Sequence, residues 1–147
     1  MKKILWITGQ PDSGKSTLAR ELKKYLPVII IDDTMRKHFN LNWNDSEGLL
    51  LMARIARAIN YEGFDVVVCA GAPYEKWRNK VNAYFREIIF NDRIIPEVEW
   101  VYLLNDRAKN VVRDYEVPSN AIIINNNIIR VEEGAKIILR KVWGVDV

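Results

Sequence analysis

Residues 7–19 read ITGQPDSGKSTLA. Gly9, Gly14, Lys15 and Ser16 fit G-x-x-x-x-G-K-[ST], the phosphate-binding loop. An apolar run ends at Thr8 and a helical pattern begins near Gly14, so the intervening turn, Asp12 and Ser13 included, aims its backbone N–H groups at an anion. The two glycines let the backbone pass close to phosphates. In such a loop Lys15 bridges the β- and γ-phosphates, the Ser16 hydroxyl ligates Mg²⁺ and Thr17 contacts the α-phosphate.

Outward from this loop, β-branched runs alternate with longer amphipathic stretches. ILWIT (4–8), VIIID (28–32), DVVVCA (65–70), EWVYLL (99–104) and AIIIN (121–125) read as strands buried on both faces, the signature of a parallel sheet. Helical segments are predicted near 15–25, 46–61, 75–90, 106–114 and 131–142. The last opens with Glu132 and Glu133 and closes with Arg140 and Lys141, as the helix dipole favours. The predicted fold is an α/β three-layer sandwich around a five-stranded parallel sheet. Apart from NNN at 125–127, no repeat, linker or low-complexity tract interrupts the pattern.

A chain of 147 residues with 49% hydrophobic content can bury one core, so one domain over 1–147 is expected. The single cysteine, Cys69, excludes an intrachain disulfide, and the N-terminus has no signal-peptide pattern. No apolar run approaches the roughly 20 residues of a membrane span. The expected setting is a reducing cytoplasm, away from membranes. A net charge of +3 is compatible with an anionic substrate or nucleic acid and requires neither.

The second apolar run continues as VIIIDDTMRKHF and ends in two carboxylates, Asp32 and Asp33. In an open α/β sheet the carboxyl ends of the strands face the ligand crevice. There one aspartate can accept a hydroxyl proton from an acceptor or hold a metal-bound water. Asp33 is the first choice for the base and Asp32 the second. Aspartate is also a common helix cap, which is the alternative reading of the pair. Arg36 is placed to clamp an anionic substrate. His38 reads as a surface residue and Cys69 as a small hydrophobe.

The ordered set GQPDSGKST, DDTMRKHFN, GFDVVVCAGAPYEKWR, VYLLND, VVRDYEVP and VEEGAKIILRKV resembles the adenylylsulfate kinases, P-loop enzymes whose pattern runs from the loop through Asp-x-x-Arg to a Pro-containing loop with a later arginine. The resemblance implies a mononucleotide-kinase-like fold, ATP with Mg²⁺, and phosphoryl transfer to an alcohol. It also puts Arg36, Phe39, Pro73, Tyr74 and Arg78 on the substrate side and Arg113 over the ATP. Two departures stand out. Arginines and an asparagine that grip the sulfated nucleotide in that family fall here on Asp45, Gly48, Leu50 and Leu51, which offer no guanidinium fork; Arg54 lies one turn beyond Leu50. The long basic lid is also missing, since Arg113-Asp114 runs straight into Tyr115-Glu116-Val117-Pro118.

A short lid leaves an open mouth that suits a bulky acceptor. Kinases similar to these phosphorylate 5-hydroxymethyluracil in phage DNA, and that hydroxymethyl group is the acceptor expected here, with base flipping to reach it. Trp43, Tyr74, Trp77, Arg78 and Lys80 are the expected DNA contacts. The alternatives are adenylylsulfate or another small alcohol or nucleoside, and a nucleotide-binding module without catalysis. The sequence leaves the oligomeric state open.

Overall fold

The computed structural model describes residues 1–39, 45–87 and 95–147. Its elements run β1 (Ile4–Gly9), α1 (Lys15–Lys23), β2 (Ile29–Ile31), α2 (Asp33–Phe39), α3 (Ser46–Tyr61), β3 (Val66–Cys69), α4 (Glu75–Glu87), β4 (Val98–Leu104), β5 (Ile122–Asn125) and α5 (Val131–Trp143). The five strands form one parallel sheet in the order β2-β3-β1-β4-β5. In register, Ile4 of β1 lies beside Val66 of β3 and Val98 of β4.

β1 is central because it can be apolar on both faces. Ile4 and Trp6 enter the core under α3 and α4, while Leu5 and Ile7 enter the core under α1 and α5. Successive side chains of a strand point to opposite faces, and β3 repeats the division, with Val66 and Val68 on one side and Val67 and Cys69 on the other. Trp6 is fully buried, stacks on Trp100 of β4 at 5.2 Å between ring centroids, and donates its indole N–H to the Ala70 carbonyl at 3.1 Å. The sheet therefore has helices on both faces, as the sequence pattern predicted. The outer positions are less buried than that pattern implied: Glu99 on β4 is exposed, and Ile123 on the edge strand β5 is 48% exposed.

The helix ends follow ordinary capping rules. Asp45 accepts the Gly48 N–H at 2.8 Å and caps α3. Gly144, at φ 65°, closes α5 in the left-handed region that glycine tolerates. At the far end of the sheet from the P-loop, the buried Asp65 carboxylate accepts the Lys3 N–H at 2.6 Å and the Trp143 indole N–H at 3.0 Å, tying β1 and α5 to the start of β3.

One expected helix is absent. Residues 106–114 form turns, because side chains take up the backbone groups that a helix would need. The Asn105 carboxamide oxygen accepts the Arg107 N–H at 3.0 Å, Asn110 adopts a left-handed φ of 55°, and the main chain of Val112 pairs with the Gln10 side chain. Among the described residues no helix is long and apolar enough to cross a membrane.

Trp6→Ala should lower the unfolding free energy by about 3–5 kcal/mol, the usual cost of truncating a buried tryptophan. Urea unfolding would measure it, and a loss under about 1 kcal/mol would show that β1 is not the centre of the core.

Candidate active site

The loop between β1 and α1 closes on itself. The Lys15 ammonium donates to the carbonyls of Gly9 at 3.1 Å and Gln10 at 2.8 Å. A Cβ on Gly9 would lie 2.7 Å from the Leu103 carbonyl oxygen and 2.9 Å from Ser13 Oγ, so the loop approaches β4 more closely than any side chain permits. Gly14 sits at φ +101°, the left-handed turn from which α1 starts. The Asn105 side chain donates to the Ser13 carbonyl at 3.0 Å and holds the loop from behind. Ser13 Oγ is fully buried and finds no partner among the described residues. The first N–H groups of α1 have no intrahelical acceptor and face the same space. Burial lowers the pKa of Lys15, and Cys69, Asp33 and Asp12 oppose that shift. A bound polyphosphate would supply the negative charge that this ammonium lacks.

In front of the loop lies a cleft of about 390 Å³ lined by Gly9, Lys15, Asp33, Cys69, Gly71 and Pro73, with Val112 and Tyr115 as its outer wall. These residues follow the carboxyl ends of β1, β2 and β3, the edge at which α/β sheets bind ligands. The two aspartates part company here. Asp33 lines the cleft with Lys15, whereas Asp32 accepts the Thr34 N–H at 3.0 Å as the cap of α2 and borders an outer groove with Arg20 and Lys23. The helix-cap reading thus applies to Asp32.

The outer wall is the segment 105–118, a strap in place of the missing lid. The Gln10 amide donates to the Val112 carbonyl at 2.9 Å, and the Val112 N–H donates back to the Gln10 carbonyl oxygen at 2.7 Å. The Tyr115 hydroxyl is hydrogen-bonded to Thr8 Oγ1 and accepts the Ala72 N–H at 3.2 Å. Burial raises the pKa of Tyr115, and its bonds to Thr8 and Ala72 oppose the rise. The Glu116 N–H donates to the Pro73 carbonyl at 2.7 Å, and its carboxylate accepts the Glu75 N–H at 2.9 Å. None of Thr8, Gln10 or Tyr115 was singled out from sequence. The Tyr-Glu-x-Pro run was visible there, but nothing in it said that its tyrosine reaches back to β1.

The residues expected on the acceptor side scatter. Pro73 lines the cleft. Tyr74 stands just outside it, edge-on to Trp77 at 4.8 Å with its hydroxyl donating to Asp114 at 3.3 Å. Arg78 does not line this cleft: it is 4% exposed and donates to the Ala72 carbonyl, so it holds the β3–α4 loop from within. Trp77 is half-buried against the core under α3 and α4. Lys80 is exposed on α4, and Arg54 is exposed on α3. Phe39, 56% exposed, belongs with His38 to the outer groove beside Asp32. Arg36 falls on α2, but its side chain lies outside the described set, as does the whole of Trp43. On the donor side Asp12 takes a left-handed φ of 60°, Ser16 is half-buried, and Thr17 and Arg113 are exposed.

A parallel sheet ordered 2-3-1-4-5, a P-loop after its first strand and a carboxylate opposite the P-loop lysine define a mononucleotide-kinase-like P-loop fold. The solved APS kinase CysC of Mycobacterium tuberculosis, in complex with AMPPNP and APS, shares it with a TM-score of 0.74 over 94% of this chain and 95% of that one, at 19% identity. Residues 1–98 match the family described as Adenylylsulphate kinase, and the chain belongs to that family. The adenylyl-sulfate kinase of Burkholderia ambifaria is 31% identical over 93 residues, which take in 56% of this chain and 51% of that enzyme. The chain thus spans about half the length of that relative. The cytidine diphosphoramidate kinase of Campylobacter jejuni is 27% identical and is matched over 94% of this chain and 95% of its own.

Cys69 sits on the floor of the cleft, and its thiol is pushed from 9.0 up to about 12, first by burial and then by Asp32. Its folded pKa lies above its unfolded one, so its contribution to stability is complete below pH 9.0 and disappears as the pH rises through about 12. Iodoacetamide at pH 8 should therefore label the unfolded chain and leave the folded chain almost untouched. Intact-mass spectrometry reads the difference, and fast labelling of the native protein would contradict the burial described.

Proposed function

We propose that this protein is an ATP-dependent phosphotransferase, a single P-loop kinase domain over residues 1–147, which moves the γ-phosphoryl group to a hydroxyl of a small nucleotide-type acceptor. The observation that carries the reading is the presence of Lys15 and Asp33 in one cleft with the glycine of the P-loop. Support for a nucleotide-type acceptor comes from the relatives, named for adenylyl sulfate and for cytidine diphosphoramidate, both nucleotides.

The residues fit a nucleotide and its magnesium. Gly9 packs against Leu103 and Ser13 too closely for any side chain, the buried Ser13 hydroxyl has no partner among the described residues, and the half-buried Ser16 hydroxyl follows Lys15 at the start of α1. Gly9, Asp12, Ser13, Gly14, Lys15, Ser16 and Thr17 form the phosphate grip, Arg113 covers the nucleotide from the strap, and Ser16 is the protein's ligand to the cation. When bound, magnesium spreads the negative charge of the β- and γ-phosphates. Lys15 exchanges its two carbonyls for phosphate oxygens and follows the charge into the transition state. Asp33 takes the proton from the acceptor hydroxyl as the new O–P bond forms and the bond from the γ-phosphorus to the leaving diphosphate breaks. The strap and Pro73 keep bulk water from the γ-phosphate.

The acceptor pocket differs from one built for adenylylsulfate. Asp45 is a helix cap, Gly48 is buried, and Leu50 and Leu51 are half-buried aliphatics, so none of these positions grips an anion. The reading with 5-hydroxymethyluracil in DNA has one feature in its favour, the absence of a long lid. Against it stand the burial of Arg78 and the packing of Trp77 into the core, which remove two of its contacts.

Lys15→Ala should fold and lose at least about 10²-fold in transfer. Asp33→Asn should keep nucleotide affinity and lose about 10²–10⁴-fold in kcat, with Asp32→Asn far milder. Both are read with γ-labelled ATP against a panel of adenylylsulfate, nucleoside mono- and diphosphate conjugates, nucleosides and duplex DNA carrying 5-hydroxymethyluracil. Label is expected on a nucleotide conjugate other than adenylylsulfate. Label entering only the DNA would reverse the choice of acceptor, and label entering nothing at any enzyme concentration would leave a binding module.

A further inference from the structure

Gln10 belongs to the P-loop, yet its side chain does nothing for the loop itself. Its carboxamide pairs with both main-chain groups of Val112, a residue of the cleft's outer wall 102 residues away in sequence. Its own main-chain carbonyl is meanwhile the nearer of the two acceptors that hold the Lys15 ammonium. One residue thus touches both the group that must move when phosphate arrives and the strap that closes the site. The next residue along the strap is Arg113, so the position of Val112 fixes where that guanidinium can reach.

From this we infer that Gln10 is a positioning residue, which fastens the strap to the P-loop and transmits the loop's phosphate occupancy to it. A primary carboxamide is suited to this task because it offers one donor and one acceptor in a plane, the complement of a peptide group. Alanine offers neither. Glutamate keeps the acceptor for the Val112 N–H but sets a second oxygen against the Val112 carbonyl. The other fastenings, Tyr115 on Thr8 and Glu116 on Pro73, sit on β1 and on the β3–α4 loop. Tyr115 also reaches the main chain of Gly9, and Asn105 at the start of the strap donates to the Ser13 carbonyl. Gln10 differs from both in pairing with the two main-chain groups of one strap residue while its own carbonyl is the nearer acceptor of the Lys15 ammonium. The role in turnover rests on the ATP-dependent reading above; the mechanical link does not.

The test has two arms. In hydrogen exchange of the ligand-free protein, the strap peptide over 110–116 should lose at least tenfold protection in Gln10→Ala and in the near-isosteric Gln10→Glu, while peptides of β1 and β4 are unchanged. Addition of AMPPNP should alter strap exchange around Val112 in the wild type and alter it much less in both variants. In turnover, both variants should keep KM for ATP within about threefold, lose about tenfold in kcat for transfer, and release more inorganic phosphate per transfer. A KM rise at constant kcat would make Gln10 an ordinary part of the phosphate grip and overturn the inference. Equal strap protection in wild type and variants would overturn it too. If wild-type protein binds no AMPPNP, the ATP-dependent reading fails, while the ligand-free exchange still decides whether Gln10 fastens the strap.

Discussion

Main-chain N–H groups can grip a polyphosphate only if the loop that carries them is anchored better than the ligand is, and here the anchor is β1. It is hydrogen-bonded along both edges, to β3 and to β4, and its four apolar residues Ile4, Leu5, Trp6 and Ile7 are completely buried. Moving the P-loop would mean withdrawing those side chains from two cores at once. The cleft inherits this rigidity, because its other walls begin at the last residue of β3 and two residues past β2, in strands of the same sheet. Position in the sheet thus becomes position in the site: the lysine arrives from the central strand and the carboxylate from the edge strand, with Cys69 between them on the floor.

Electrostatics add a second constraint to the mechanical one. Burial of Lys15 costs free energy in the ligand-free protein, and its two carbonyl acceptors offer dipoles where the hydration shell offered more. Asp33 and Asp12 soften that cost without neutralising it locally. The same desolvation strengthens the attraction between the ammonium and a phosphate, since both act in a medium less polarisable than water. Part of the stability withheld from the empty site is therefore returned on binding.

Much of this was legible in the sequence, for reasons that can be named. The strands announced themselves because strands buried on both faces are continuously apolar, and the loop because its chemistry permits few substitutions at Gly9, Gly14, Lys15 and Ser16. The aspartate pair was legible, with Asp33 put ahead of Asp32, but the sequence held no physical reason for that order. Which of two adjacent carboxylates turns inward depends on where α2 starts, and Asp32 was claimed by the Thr34 N–H. Arg78 shows the opposite limit. A guanidinium after a proline loop suggests a substrate clamp, yet this one is buried and donates to the loop's own carbonyl at Ala72. The segment 106–114 misled because its charged residues are compatible with an exposed helix. Its partners lie elsewhere in the chain, Gln10 for Val112, Tyr74 for Asp114, and Asn126 and Asn127 for Arg107 and Asp106, beyond the reach of any local pattern.

The strap's energetics explain why a segment so short can serve where a longer lid is usual. Residues 112–116 are held by the Gln10 pair, the Tyr115 bonds to Thr8 and Ala72, and the Glu116 bonds to Pro73 and Glu75. Each bond contributes about 0.5–1.5 kcal/mol net, against about 1–2 kcal/mol for ordering each residue's backbone. The two totals nearly cancel, and the partial burial of Tyr115 against Tyr102 tips the balance towards closure. A segment so balanced belongs to the least stable part of the molecule, able to open locally while the sheet beneath it does not. A long lid must be drawn shut by substrate. This strap is already fastened in the ligand-free protein, so its shortness and its fastenings belong together.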